Sequence, residues 1–280
     1  MNRKLDPSDL YRPIVATPFR QNAAYTELAP CDALKPYIRC FWGTPEPIRG
    51  TDFISDNSGL VIPDTCMDII FTLDYARDTI EGTFCAIDEN AYASASSPSL
   101  ALTSTFAIRF YAWTATLFVE QPLNGSKNQH FEVDVFFSAL RKELAPMLMS
   151  VASLQERARI ASEYLLRHLH EDRVSHALMN AVYDMISTRG TMRISELAAK
   201  NAISRKQLER VFDEHIGISP KSFSSLIRYQ MLWQELCAGT GRSTLDLVGR
   251  YGYFDQAHLL NDFKRHHTMT PAQALRFARD

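Results

Sequence analysis

The sequence predicts an α+β protein: a mainly-β N-terminal half, a bridging helix, and an all-α C-terminal half with two helix–turn–helix units. Three observations predict it. Short aromatic and β-branched runs separated by turn residues fill the first half. Near Ser153 the apolar spacing changes to a helical one. The last third then repeats itself at an offset of 51 residues, with Ser195–Pro220 lying on Asp246–Pro271 without a gap. Leu197 falls on Val248, Leu208 on Leu259, Phe212 on Phe263, Ser219 on Thr270 and Pro220 on Pro271.

Residues 1–30 carry Pro7, Pro13, Pro18 and Pro30 and read as irregular. Tyr37–Trp42 reads as a strand. Leu60–Ile62, a turn at Pro63–Thr65 and Ile69–Leu73 read as a hairpin, and Thr103–Ala107 and Ala112–Val119 as further strands. Val133–Leu144 is a helix candidate, followed by Pro146. Leu154, Ala158, Ala161, Leu165, Leu166 and Leu169 recur at helical spacing and give a bridging helix of about five turns that ends near His170–Asp172. The division expected is therefore 1–152 for a sensing or dimerising unit, 153–172 for the bridge and 173–280 for the helical unit.

Within the repeat, each copy is a short helix, a turn and a capped second helix, at about 194–216 and 244–267. Asn201 and Gly252 occupy equivalent turn positions, and both residue types tolerate a left-handed backbone. Ser204 with Gln207 reads as a capping box, and Asp255 as the matching N-cap. With Leu208, Val211 and Phe212 inward, Lys206, Arg210 and Asp213 face outward, flanked by Gln207 and Glu209. Such side chains can donate to guanine, read adenine and accept from cytosine in a major groove. The DNA-facing candidates are Arg205, Lys206, Gln207, Glu209 and Arg210 in the first copy. In the second they are Gln256, His258, Asn261, Lys264 and Arg265, with Ala257 and Leu260 for thymine methyls. Lys264 and Arg265, with His266 and His267 nearby, read as phosphate contacts, which position a protein without specifying sequence. Between the copies, Ser219-Pro220 opens a helix that runs to about Cys237, before Gly239 and Gly241. A rigid helix there would hold the two heads one turn of DNA apart, about 34 Å.

Charge agrees with this division. Residues 172–280 carry a net +4 and residues 1–171 a net −6, which suits a DNA-binding part joined to another task. No stretch reads as a membrane span or a signal peptide, so the cytoplasm is the expected location. The five cysteines form no Cys-x-x-Cys pair and read as buried free thiols. No zinc site or other cofactor is expected.

Over Val174–Ala278 the sequence resembles the AraC/XylS family of bacterial transcription regulators. The resemblance is carried by Gly252-Tyr253-Phe254-Asp255-Gln256-Ala257-His258, Phe263-Lys264-Arg265 and Thr270-Pro271, with Ser219-Pro220-Lys221-Ser222-Phe223 and Arg228 in the linker. It implies seven helices with two helix–turn–helix motifs, double-stranded promoter or operator DNA and RNA polymerase as partners, and activation as the commoner behaviour. Gly249, Asn261 and Thr268 depart from the pattern, which usually has Ala, a basic residue and Gly there. The N-terminal half is similar to a group that precedes this domain in some members, through Leu34-Lys35-Pro36-Tyr37, Phe41-Trp42, Val61-Ile62-Pro63-Asp64 and Asp68-Ile69-Ile70-Phe71. That similarity implies a small-molecule effector or a homodimer interface, with Arg109 and Tyr111 near the effector pocket.

Two other readings compete with a regulator of this kind. One is a DNA-processing enzyme with an alkyl-transfer N-terminal half, for which the four N-terminal cysteines lack clustering. The other is a regulator acting through protein partners, its second DNA head having drifted. No catalytic residue is assigned.

Overall fold

The computed structural model describes residues 6–14, 25–49, 59–94, 101–119 and 121–279. Nine strands come first: β1 (Thr26–Leu28), β2 (Ile38–Gly43), β3 (Ile48–Arg49), β4 (Gly59–Val61), β5 (Cys66–Asp74), β6 (Thr79–Cys85), β7 (Tyr92–Ser94), β8 (Leu102–Tyr111) and β9 (His130–Glu132). The main sheet runs β1-β2-β8-β5-β6-β9, with β3 also on β8, and every pairing is antiparallel. Alternation across the pleat separates two faces. The register Phe41–Ile108–Ile69–Phe84–Phe131 lays an apolar row on one of them, where Phe84 meets Phe136 and Phe137 of helix α1 (Asp134–Met149). The adjoining register Cys40–Arg109–Asp68–Cys85–His130 lays a polar row on the other.

Several local expectations are corrected. Leu60–Ile62 and Ile69–Leu73 do not form a hairpin. β4 pairs with β7, while β5 turns at Tyr75–Asp78 into β6 and takes β8 on its other edge. Ala112–Val119 is not a strand: the Thr114 hydroxyl lies 2.7 Å and 2.8 Å from the carbonyls of Tyr37 and Tyr111, closing a turn that leads into a 3-10 helix at Ala115–Leu117. Helix α1 passes through Pro146 in its last turns, where a missing N–H removes one hydrogen bond without stopping the helix. Helix α2 (Leu154–Arg167), capped by Ser153, ends at His168 and packs on α1, β2 and β8; a separate 3-10 turn follows at Glu171–Arg173.

Seven helices complete the described chain: α3 (His176–Ser187), α4 (Ile194–Lys200), α5 (Arg205–Ile216), α6 (Pro220–Cys237), α7 (Thr244–Arg250), α8 (Gln256–His267) and α9 (Pro271–Arg279). Their apolar core is continuous with that of the sheet. Trp113 meets Phe223 edge-on at 6.3 Å. Gln230 of α6, fully buried, donates to the Pro63 carbonyl at 2.7 Å and accepts from the Ile14 N–H at 3.1 Å. The Leu123 N–H donates to the Glu214 carbonyl at the end of α5, and the Ala91 N–H to the His266 carbonyl at the end of α8. The N-terminal half therefore touches the ends of α5 and α8 and the helix α6 between them.

Candidate nucleic-acid interface

Helices α4 and α5 form the first head. Leu197 and Ala198 on α4 and Leu208 and Phe212 on α5 are buried against each other, and Ser204 caps α5 by accepting the Gln207 N–H at 3.1 Å. The cap is one-sided, with no Gln207 side-chain bond returning to Ser204. Asn201 does not take the left-handed conformation; its φ is −89°. Its amide instead donates to Asp184 on α3 at 3.1 Å and to the Leu197 carbonyl at 2.9 Å. The left-handed residue is Ala202, at φ 53°.

In the second head Gly252 is left-handed, at φ 63°. The pairing of Ala202 with Gly252 is an offset of 50, and α4 and α7 share it: Leu197 matches Leu247 and Ala198 matches Val248, rather than Leu197 matching Val248. Equivalent bonds agree, Ile203 N–H to the Ala198 carbonyl and Tyr253 N–H to the Val248 carbonyl. The offset becomes 51 only at Ser204 and Asp255. The second turn thus holds one additional residue, Phe254, which is 90% exposed. A gapless overlay missed it because the second helices and the Ser/Thr-Pro pair dominate the match. The capping box predicted at Ser204 is found instead at Ser243 with Asp246, at the start of α7.

On α5, Lys206, Gln207, Arg210 and Asp213 line one open groove of about 770 Å³, as the helical spacing predicts. Lys206 and the Gln207 amide have no partner among the described residues. Arg205 pairs with Glu209 at 3.0 Å, and Arg210 with Glu214 at 2.9 Å; both pairs are exposed i,i+4 contacts of small energetic worth, so DNA can take these guanidinium groups over. Asn124, from the N-terminal half, donates to Asp213 at 2.5 Å and borders the groove.

On α8, Gln256, Ala257, Asn261 and Lys264 are exposed. His258 is exposed too, but its Nδ1 accepts from the Phe254 N–H at 3.3 Å, turning the ring toward the head's own turn. Arg265 reaches back to Ser225 at 2.7 Å and Asp262 at 2.8 Å. His266 and His267 are not phosphate contacts: each is 2% exposed. His266 Nδ1 lies 2.6 Å from the Glu89 carbonyl, and His267 Nδ1 lies 2.7 Å from the Tyr229 hydroxyl, with its ring stacked on Phe263. Burial pushes the pKa of His267 down to about 4. Asp262 is the junction of this region, accepting from Arg228, Arg265 and Tyr253 at 3.1, 2.8 and 3.0 Å. Burial works to raise its pKa, but Arg228 and Arg265 hold it below the ordinary carboxylate range.

In the N-terminal half, Arg109 and Tyr111 share the polar face of β8. Arg109 is buried, its Nε and Nη2 each 2.9 Å from Asp68, with Asp64 at 3.5 Å. The Trp42 indole N–H also donates to Asp68, at 2.8 Å. Burial opposes the charge on Arg109, yet Asp68 and Asp64 keep its pKa above the ordinary value. Tyr111 stacks on Trp113 at 4.8 Å. Cys40 and Cys66 are buried thiols; Cys85 and Cys237 are partly buried, and Cys31 is exposed. Burial pushes the thiols of Cys40 and Cys85 up to about 12.

Two outward-facing, separately capped second helices on one continuous apolar core define a tandem helix–turn–helix domain of the DNA-binding class. The family comparison agrees. Residues 197–276 match the model of a helix–turn–helix domain, and residues 26–132 match a domain of unknown function, DUF6597. These matches support a regulator with an AraC-type helix–turn–helix domain. It is 26% identical over 121 residues to an uncharacterized HTH-type transcriptional regulator from Haemophilus influenzae, and spans about 40% of that relative's length. Among solved structures it is similar to an AraC-type regulator from Chromobacterium violaceum, at 23% identity over 36% of this chain and 91% of that one, TM-score 0.34. It is also similar to ToxT from Vibrio cholerae, at 9% identity over 83% of this chain and 96% of that one, TM-score 0.42. No helix among the described residues is long and apolar enough to cross a membrane.

Proposed function

We propose that this protein is a cytoplasmic, sequence-specific transcription regulator that places α5 and α8 in two consecutive major grooves of a promoter or operator, and that it activates transcription together with RNA polymerase. The observation that carries this reading is the groove on α5, which Lys206, Gln207 and Arg210 line together. The heads are unequal. The first carries direct base readout through Lys206, Gln207 and Arg210, flanked by Arg205 and Glu209. The second offers Gln256, His258 and Asn261 to the groove and Lys264 and Arg265 to the backbone. The N-terminal half modulates binding, by an effector on the side of Arg109 and Tyr111 or by pairing two copies of the chain. Its contacts with the ends of α5 and α8 support that coupling.

The test is sequence-selective binding. A duplex is first selected by the full chain from a random pool. Lys206→Ala and Arg210→Ala should then each weaken binding to that duplex by about 1–3 kcal/mol while changing binding to a scrambled duplex far less. Equal losses on both duplexes, or no loss on either, would remove the reading face from α5.

A further inference from the structure

Between the two heads lies a second cleft, of about 650 Å³, bounded by the loop ahead of α4, the first half of α6 and one side of α8. Arg193, Lys221, Arg228 and Arg265 line it, against a single carboxylate, Asp262. Arg228 and Arg265 share that carboxylate, and Arg193 and Lys221 have no ion pair among the described residues. The cleft therefore carries three more positive than negative side chains, with the imidazole of His258 at its edge.

Two of these cations sit where local helix energetics disfavour them. Arg193 holds the N-cap position of α4, where Ser, Thr, Asp or Asn would accept an otherwise unpaired N–H, and its side chain makes no cap. Lys221 is in the first turn of α6, next to the positive end of the helix dipole. Charges placed against local preference, on both sides of one open cleft, signal a ligand that compensates for them. In addition, the Arg228 Nε is buried with no hydrogen-bond partner.

We propose that this cleft seats the DNA phosphate backbone where the duplex passes between the two heads, with Arg193 and Lys221 as the binding cations and Arg265 as a third donor. Arg228 is a positioning residue that fixes Asp262, and through it α8, against α6. The proposal rests on the reading of the domain as DNA-binding. It assigns to the linker a share of affinity that carries no sequence information, in contrast to the α5 face.

Salt dependence tests it without knowledge of the operator. Binding of the full chain to a fluorescent random-sequence 30-bp duplex is measured across a range of NaCl concentrations. Removing one phosphate-binding cation should lower the slope of log affinity against log salt by about 0.9. Lys221→Gln and Arg193→Gln should each do so, and the double variant should lower it by about twice as much. Arg77→Gln, in the β5–β6 turn, should leave the slope unchanged. Because Arg193 flanks a short helix, its variant is accepted only with an unchanged unfolding midpoint; Lys221→Gln, exposed on a long helix, carries the test alone if that fails. Unchanged slopes in a wild-type background that binds the duplex would overturn the cleft and leave the α5 reading standing. A wild-type chain that binds no duplex at any salt would overturn both.

Discussion

Acidification should loosen the second head through His267. The ring is buried among Phe263, Trp233 and Tyr229, its Nδ1 2.7 Å from the Tyr229 hydroxyl, and burial favours the neutral imidazole in the folded state. The pKa falls from 6.5 to about 4 on folding. The sign follows from proton counting. Below about pH 6.5 the unfolded chain takes up a proton that the folded chain refuses, so stability is full above that pH and falls as pH drops toward 4. A shift of this size removes roughly 2 kcal/mol between pH 8 and pH 5. His266 adds to the loss in the same direction, because burial lowers its pKa as well, against the opposing pull of the Glu89 carbonyl. Urea unfolding followed by tryptophan fluorescence is a direct assay, since Trp233 lies 4.8 Å from the His267 ring. The control is His267→Phe, which leaves the Tyr229 hydroxyl unpaired and lowers stability at pH 8 by about 1–3 kcal/mol. That variant should lose about 2 kcal/mol less than the wild type between pH 8 and pH 5. Identical pH dependence in the two proteins would refute the account of a neutral, buried imidazole.

Four further substitutions have expected signs, all read by the same unfolding assay. Ala202→Gly should stabilise the chain by about 1 kcal/mol, because Ala202 is held at φ 53°, whereas Gly252→Ala should destabilise it by a similar amount or more, with Thr191 only 3.3 Å from the added methyl. Gly249→Ala should add about 1 kcal/mol, since Gly249 is inside α7 and its Cβ would meet nothing within 4 Å. Gln230→Leu should cost about 2–4 kcal/mol by stranding the Pro63 carbonyl and the Ile14 N–H, and should lower the cooperativity of unfolding as the halves separate. Unchanged cooperativity would mean that the halves are held by their apolar contact alone.

The helical half was legible in the sequence because its signals are local. Ser204, Ser219 and Pro220 mark helix starts by chemistry confined to three or four residues, and α5 and α6 begin where those residues place them. The strand pairings were not legible. Leu60–Ile62 and Ile69–Leu73 flank a Pro-Asp-Thr turn and read as neighbours, but the partner of β4 is β7, some thirty residues further on. The burial of His266 and His267 was hidden for the same reason, since Glu89 and Tyr229 come from other elements and a charged-looking end of a helix gives no sign of them. The additional residue at Phe254 was hidden by a repeat whose strongest matches all lie on one side of it.

Hydroxyl-radical footprinting of the full chain on a selected duplex, with the stoichiometry measured in parallel, decides whether one chain reads DNA with both heads. The expected result is one chain per duplex and two protected patches on the same face, one helical turn or about 10–10.5 bp apart, within about 17 bp. A single protected patch per chain, or two patches that appear only when two chains are bound, would contradict it.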